Sequence, residues 1–133
     1  MAVQLSVAVR NARLDAIETN ISTSAILKIR TGAQPADCAT ADSGTVLATL
    51  QLPSDWMAAA SSGAKAKNGT WQDTSADDTG TAAHFRIYDS GGSTCDIQGS
   101  VGSGSGDLDL DSVSITAGQI VTVTGFTLTD ANA

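Results

Sequence analysis

The feature that most constrains this chain is a series of short apolar runs that alternate with polar residues and are separated by turn residues. Residues 25–30 (AILKIR) and 82–88 (AAHFRIY) show the alternation, and Asp89–Ser93 (DSGGS) is the densest turn signal. Period-two alternation with such punctuation is typical of an all-β sandwich or barrel. We therefore predict a mainly β fold, an antiparallel β-sandwich that is jelly-roll-like or immunoglobulin-like, with one short N-terminal helix.

The strands can be placed approximately from these runs. We predict strands at residues 25–30, 45–52, 68–73, 82–88, 94–101, 107–114 and 119–129. The strands at 82–88 and 94–101 should pair as a hairpin across the DSGGS turn. We interpret Gly99–Gly106 as a flexible Gly/Ser connector and Ser54–Ala60 as a single helical turn.

The last predicted strand changes phase near its middle. Val121 and Val123 share one face, whereas Phe126 and Leu128 fall on the opposite parity. A glycine at such a slip indicates a β-bulge, which returns the later side chains to the inner face. We therefore predict a bulge at Gly125.

The N-terminal segment differs from the rest of the chain. We predict a helix over residues 6–20 (SVAVRNARLDAIETN), because residues 12–21 contain no break, Ser6 is a suitable N-cap, and Asn20 is an acceptable end. An apolar stripe on this predicted helix consists of Val7, Leu14, Ile17 and Ile21. The alternation of Leu5, Val7 and Val9 leaves a strand as the alternative for the first residues. We expect an N-terminal helical arm over residues 1–24 and a β-sandwich domain over residues 25–133.

The charge distribution also sets the N-terminal thirty residues apart from the rest of the chain. The net charge is −7. Residues 1–30 contribute four basic and two acidic groups, or +2, whereas the remainder contributes three basic and twelve acidic groups, or −9. An acidic surface argues against nucleic acid or an anionic membrane as a partner.

No secretory signal and no apolar run long enough to span a membrane is visible, so we expect synthesis in the cytoplasm with reduced thiols.

Residues that carry catalytic chemistry are scarce. The chain has one histidine, His84, and two cysteines, Cys38 and Cys95, and it lacks nucleophile, zinc-protease and phosphate-binding motifs. We therefore predict that it is not an enzyme, with no catalytic residue and no cofactor. A disulfide between the cysteines requires that the fold bring their Cα atoms within ~7 Å, which the sequence leaves open.

Two acidic clusters suggest calcium, whose preferred ligands are oxygens. Asp107, Asp109 and Asp111 alternate with leucines, but the EF-hand pattern fails, and we favour a solvated edge-strand face that opposes aggregation. A second cluster consists of Asp73, Asp77 and Asp78. We predict no metal site at either cluster.

The few aromatic residues have two possible roles. Trp56, Trp71 and Tyr88 could form a platform on which a sugar stacks, as in carbohydrate-binding modules. With only five aromatic residues in the chain, however, the core has the greater need of these rings. We therefore favour packing in the core or between subunits.

Three segments carry a resemblance to a known family. LSVAVRNARLDAIET, LPSDWMAAASSGAKAKNGTWQD and HFRIYDSGGSTCDIQGSVG resemble small virion proteins of tailed bacteriophages and prophages, in particular the head decoration, or cement, proteins. The resemblance implies a jelly-roll-type β-sandwich, a homo-oligomer such as a dimer or trimer on the capsid surface, the major capsid protein as partner, and no enzymatic activity.

The arm is our candidate contact with that partner or with a sister subunit. The predicted contact residues are Leu5, Val7, Arg10, Arg13, Leu14 and Ile17. The competing interpretation is that the helix closes one end of its own sandwich. A different function, a tail- or fibre-associated module that binds a host glycan, is the alternative to capsid decoration.

Overall fold

The computed structural model describes residues 3–130, which form one helix and ten strands. The helix is α1, Val7–Ile21. The strands are β1 Ile26–Arg30, β2 Val46–Gln51, β3 Ala64–Ala66, β4 Gln72–Asp73, β5 Gly80–Thr81, β6 His84–Tyr88, β7 Cys95–Gly102, β8 Leu108–Leu110, β9 Ser114–Ile115 and β10 Val121–Thr129. The first two residues of the predicted arm and the last three of the predicted sandwich domain lie outside the described residues.

The helix begins where the sequence predicts. The Ser6 hydroxyl accepts a hydrogen bond from the Val9 amide at 3.2 Å, which satisfies one of the free N–H groups of the first turn. The strand alternative for this segment is therefore wrong. The helix continues past Asn20 to Ile21 and ends at Ser22, whose φ of 72° turns the chain and whose amide donates to the Glu18 carbonyl.

The strands form one large curled sheet and a small second one. The large sheet has the order β2-β1-β6-β7-β8-β10-β3, with β4 also paired to β10, while β5 pairs with β9. The sheet curls so that β2 comes close to β4 and the residues that follow it. The Thr49 amide of β2 donates to Asp73 Oδ2 at 2.9 Å, and the Asp77 amide donates to the Leu47 carbonyl at 2.7 Å. The predicted mainly β fold is confirmed, with one parallel pair, β7 with β8, that makes the sheet mixed.

A single apolar core lies inside the curl. Cross-strand neighbours Leu27 and Ile87, and Ile29 and Phe85, point into it and are at most 1% exposed. A chain of ring contacts extends from Trp56 to Trp71, then to Phe126, then to Phe85, with centroid separations of 6.0, 5.6 and 5.5 Å. Four of the five aromatic side chains therefore fill the core, as the sequence favoured for Trp56 and Trp71, whereas Tyr88 is buried outside this core.

Two local predictions are confirmed in detail. β6 and β7 pair antiparallel across the DSGGS turn. The register between β10 and β8 shifts between Val123 and Gly125, and both Val123 and Phe126 are buried despite their opposite parity. The bulge at Gly125 therefore keeps both halves of β10 directed into the core.

Two connecting segments differ from prediction. Ser54–Ala60 is not helical, because Ala58 donates its amide to the Ala66 carbonyl and Met57 bridges to Lys67, which ties this segment to β3. Gly99–Gly106 is not simply a connector, since β7 continues to Gly102. A Cβ on Gly102 would lie 2.6 Å from the Gly106 amide nitrogen, so the tight return from β7 to β8 requires glycine there.

The alternating acids do not lie on an edge strand. β8 is paired on both sides, with β7 and with β10, and its two leucines are buried. Asp109 Oδ1 accepts hydrogen bonds from the Gly104 and Gly106 amides at 2.8 and 3.0 Å. Asp107 Oδ2 accepts from both the amide and the hydroxyl of Ser100 at 2.9 Å. These carboxylates therefore hold the glycine-rich turn in place.

Candidate partner-binding surface

The part of α1 that faces the segment around β3 carries three polar side chains. Asn11, Asp15 and Glu18 recur at intervals of four and three residues, so they lie on one face of the helix. Each accepts a hydrogen bond from a backbone amide of the segment around β3. The pairs are Gly63 to Asn11 Oδ1 at 2.9 Å, Ala60 to Asp15 Oδ1 at 2.9 Å and Met57 to Glu18 Oε1 at 3.3 Å. These side-chain acceptors, together with the buried Leu14 and Ile21, attach the helix to the sheet.

A buried lysine reinforces this attachment. The Lys65 side chain is 2% exposed, and its ammonium group lies 2.7 Å from Asp15 Oδ1, 2.9 Å from Glu18 Oε2 and 2.9 Å from the Ala58 carbonyl. Desolvation opposes its charge, but the hydrogen bonds and charges of Asp15 and Glu18 raise the pKa of Lys65 above its usual value. The ammonium group therefore stays charged, with three acceptors for its three donor hydrogens.

Two arginines connect the helix to the end of the last strand. Arg10 Nη1 donates to the Asp130 carbonyl at 3.1 Å, and Arg13 Nε lies 3.3 Å from Asp130 Oδ2. The Arg13 side chain remains 61% exposed, so that its charge is available at the surface. The helix is therefore held at both β3 and the residue that follows β10.

The arm also carries most of the exposed apolar bulk of the described residues. Within residues 3–130 the large hydrophobic side chains that remain exposed are Val3 (82%), Val7 (46%), Val9 (46%) and Ile120 (54%). We call Val3, Val7 and Val9 the arm patch. Val7 and Val9 are two positions apart in α1 and point to different sides of the helix, so the arm patch is a set of exposed valines around the start of the helix and not one flat face. Exposed apolar side chains concentrated in one segment are a candidate contact with another protein.

The structure divides the predicted contact residues. Val7 and Arg13 are exposed, whereas Leu5, Arg10 and Ile17 are partly buried. Leu14 is 3% exposed and is not available to a partner. The inner face of α1 fits the interpretation that the helix closes its own sandwich, while the residues at its start remain open.

The sequence prediction omitted Val3 and Val9. Val9 appeared only in the strand alternative, because its spacing does not fit the apolar stripe of the helix. Val3 extends the same alternation, together with Leu5 and Val7. An apolar residue outside the apolar stripe of a predicted helix is expected to be exposed, and this was the signal that could have identified Val9.

A second polar cluster lies on the opposite side of β6 from the core, beneath residues 31–45, which we call the covering loop. Its centre is Asp42. Arg30 Nη2 donates to Asp42 Oδ2 at 2.9 Å, and Arg86 Nη1 and the Tyr88 hydroxyl each donate to Oδ1 at 2.8 Å. Although desolvation opposes it, the Tyr88 and Arg86 hydrogen bonds and the Arg30 charge lower the pKa of Asp42.

The backbone of the covering loop takes part in the same cluster. Arg86 Nη2 donates to the Asp37 carbonyl at 2.9 Å, and Gln98 Nε2 donates to the Pro35 carbonyl at 2.8 Å. His84 Nδ1 lies 2.9 Å from the Gly32 carbonyl. The loop buries the polar face of β6, and the core buries Phe85 and Ile87 on the other face, so all five residues of β6 are buried. The polar residues of β6 serve as structural partners of the loop.

The other candidate sites also have structural roles. Trp56, Trp71 and Tyr88 are each 0% exposed, so they cannot form a sugar-stacking platform on this surface. Asp73 and Asp77 accept hydrogen bonds from Thr49. Across residues 3–130, no three His, Cys, Asp or Glu side chains are grouped so that they could hold a metal ion. No helix in that range has the length and apolarity needed to cross a membrane.

The cysteines lie side by side. Cys38, in the covering loop, and Cys95, at the start of β7, place their sulfur atoms 3.1 Å apart, and both thiols are free. Burial, the Cys38 thiol and the Asp42 charge raise the pKa of Cys95 to about 12, against the opposing charge of Arg86. Cys95 is therefore protonated at neutral pH.

Comparison with known proteins gives no assignment: no family profile, no curated protein and no solved structure matches this chain.

Proposed function

We propose that this chain is a structural virion protein that binds the outside of a tailed-phage capsid and stabilises the shell. The resemblance of three of its segments to head decoration proteins suggests the role. The observation that supports it is the arm patch, which lies at the start of a helix whose inner face is fixed to the protein's own sheet. Such an arrangement presents apolar side chains on a rigid support.

The size of the patch indicates how it would act. Complete burial of an exposed valine contributes about 1.5 kcal/mol, so three partly exposed valines give a weak contact for each copy. Many copies on a shell, or a homo-oligomer with several arms, would strengthen that contact through avidity. A protein that binds the assembled shell better than free subunits shifts the equilibrium towards the intact particle.

The charges near the patch favour a defined orientation. The arm, residues 1–24, has two basic and two acidic groups, whereas residues 25–133 carry a net charge of −7, and the exposed Arg13 lies on the helix that begins at the patch. A negatively charged surface on the major capsid protein would repel the acidic remainder of the molecule but not the neutral arm, and it could pair with Arg13. We place the protein at the capsid surface, after synthesis in the host cytoplasm, with no nucleic acid or membrane as a direct partner.

The decisive experiment measures binding of purified protein to heads that lack it, by co-sedimentation over a range of protein concentrations. Val7→Asp combined with Val9→Asp should weaken binding at least tenfold, because each change places a charge in the apolar contact. Ile120→Asp is the matched control. Ile120 precedes β10 and Asp130 follows it, so about 25 Å of strand separates the control from the attachment of the arm.

The outcomes separate the proposal from its rivals. Equal binding by the wild type, the double variant and the control would show that the arm patch is not the contact. Failure of the wild-type protein to bind heads would reject the capsid role. Mass spectrometry of purified virions adds an independent check, because a decoration protein is present in many copies and a tail-associated module in few.

A further inference from the structure

The two cysteines occupy a particular place in the fold. Cys38 lies in the covering loop and Cys95 begins β7, 57 positions later, yet their sulfur atoms are 3.1 Å apart. A disulfide bond has an S–S length of about 2.05 Å, so closing it requires a movement of about 1 Å. The surrounding contacts already hold both ends, since Gln98 of β7 binds the Pro35 carbonyl and Arg86 of β6 binds the Asp37 carbonyl.

We propose that Cys38 and Cys95 form an intramolecular disulfide that fastens the covering loop to β7 when the protein meets an oxidising environment. The step requires a co-reactant, a small disulfide such as oxidised glutathione. One cysteine thiolate attacks the glutathione disulfide and releases one reduced glutathione, and the second cysteine then attacks the mixed disulfide and releases another. Two thiol protons are lost and the two glutathione sulfurs accept the two electrons.

The surroundings of the pair indicate a structural cross-link. Both cysteines are partly buried, and the raised pKa of Cys95 makes it a poor thiolate at neutral pH. Reactive redox-sensing cysteines have lowered pKa values and open access, which Cys95 lacks. A disulfide that forms slowly between partly buried thiols and then resists reduction is typical of a structural disulfide.

The disulfide would affect the buried arginines beneath the covering loop. The covering loop is fixed by polar contacts around Asp42, and its detachment would expose Arg30 and Arg86, which are 6% and 2% exposed. A cross-link between positions 38 and 95 limits how far the loop can separate from the sheet. It also restricts the unfolded chain across a long segment, which in the chain-entropy account stabilises the folded state.

The test compares the full chain after treatment with reduced and with oxidised glutathione. Peptide mapping should show one cross-linked peptide pair that contains Cys38 and Cys95, and it should disappear after reduction. The melting temperature of the oxidised wild type should exceed that of the reduced form by about 10 °C, given the loop length and protein size. Cys38→Ser and Cys95→Ser should each show no such difference between treatments.

Three results would overturn the proposal: alkylation of both thiols after oxidation, cross-links between molecules in place of the internal one, or a melting temperature unchanged by the internal bond. The wild-type comparison does not depend on the serine variants, so a variant that folds poorly leaves the test intact. The result is independent of capsid binding, since the measurement uses the isolated protein.

Discussion

The arm and the covering loop are two attachments to the same sheet, and they differ in what they leave exposed. Both are fixed by ion pairs between buried basic and partly exposed acidic side chains, Lys65 with Asp15 and Glu18 in one case and Arg30 and Arg86 with Asp42 in the other. The loop directs its contacts inward and buries the polar face of β6. The arm is fixed inward and also carries three exposed valines. Similar ion pairs therefore hold a loop that buries the sheet in one region and a helix that leaves valines exposed in the other.

The largest effect should come from removing the centre of the loop cluster. Asp42→Ala leaves the Arg30 and Arg86 guanidinium groups buried without their shared carboxylate, and breaking such a pair costs about 3 kcal/mol of unfolding free energy. Urea denaturation measures the loss. Asp55→Ala, which removes a single exposed hydrogen bond to Asn68, should change stability far less. Similar losses for the two variants would show that the loop contributes no special stability.

A smaller effect is expected at the arm. Lys65→Met keeps the length of the side chain but removes the ammonium group, and Asp15 and Glu18 are exposed enough to regain water. We expect a loss of about 1–2 kcal/mol. Hydrogen exchange should become faster in α1, while β6 and β7 keep their protection. Equal acceleration in all three elements would show that the arm unfolds only with the whole sheet.

The smallest expected effect is the loss of folding stability at acidic pH. The folded-state pKa values of Asp42 and Asp15 lie below their usual values, through the Tyr88 and Arg86 hydrogen bonds in the first case and the Lys65 hydrogen bond in the second. A lowered carboxyl pKa contributes stability that is present above the unfolded pKa, near 4, and is lost as pH falls through the folded value. Stability should therefore fall below about pH 4.

The acid response also distinguishes the two regions. Asp42→Asn should reduce the slope of stability against pH in that range, since the variant has no carboxyl group there to titrate. Asp15 is more accessible to solvent, so Asp15→Asn should reduce the slope less. Denaturation curves at several pH values test the order. A larger change for Asp15→Asn would reverse our ranking of the two clusters.

The sequence predicted the features that depend on neighbouring residues. The Ser6 cap, the β6–β7 hairpin and the bulge at Gly125 all follow from local spacing, and each is present. β3 was missed because Ala64–Ala66 is too short and too small to show a period. Its pairing with β10 depends on residues more than 60 positions away.

The polar clusters could not be predicted for a related reason. Alternation places Arg30, Arg86 and Tyr88 on the strand face opposite the apolar side chains, and such a face is ordinarily solvated. The covering loop buries that face, and nothing in its own Gly-, Ala- and Asp-rich sequence specifies where it lies. The proximity of Cys38 to Cys95 has the same origin, since it requires both the loop position and the register of β7.

The contact between Arg10 and Asp130 joins residues 120 positions apart, and it has a consequence for biosynthesis. A ribosome that adds about 5–20 residues each second makes the helix many seconds before its final anchor. β10 likewise emerges after β8, β3 and β4, the strands with which it pairs. The exposed valines of the arm therefore reach their fully supported position only after translation has passed Asp130, so chains that stop before that residue would compete poorly for any partner.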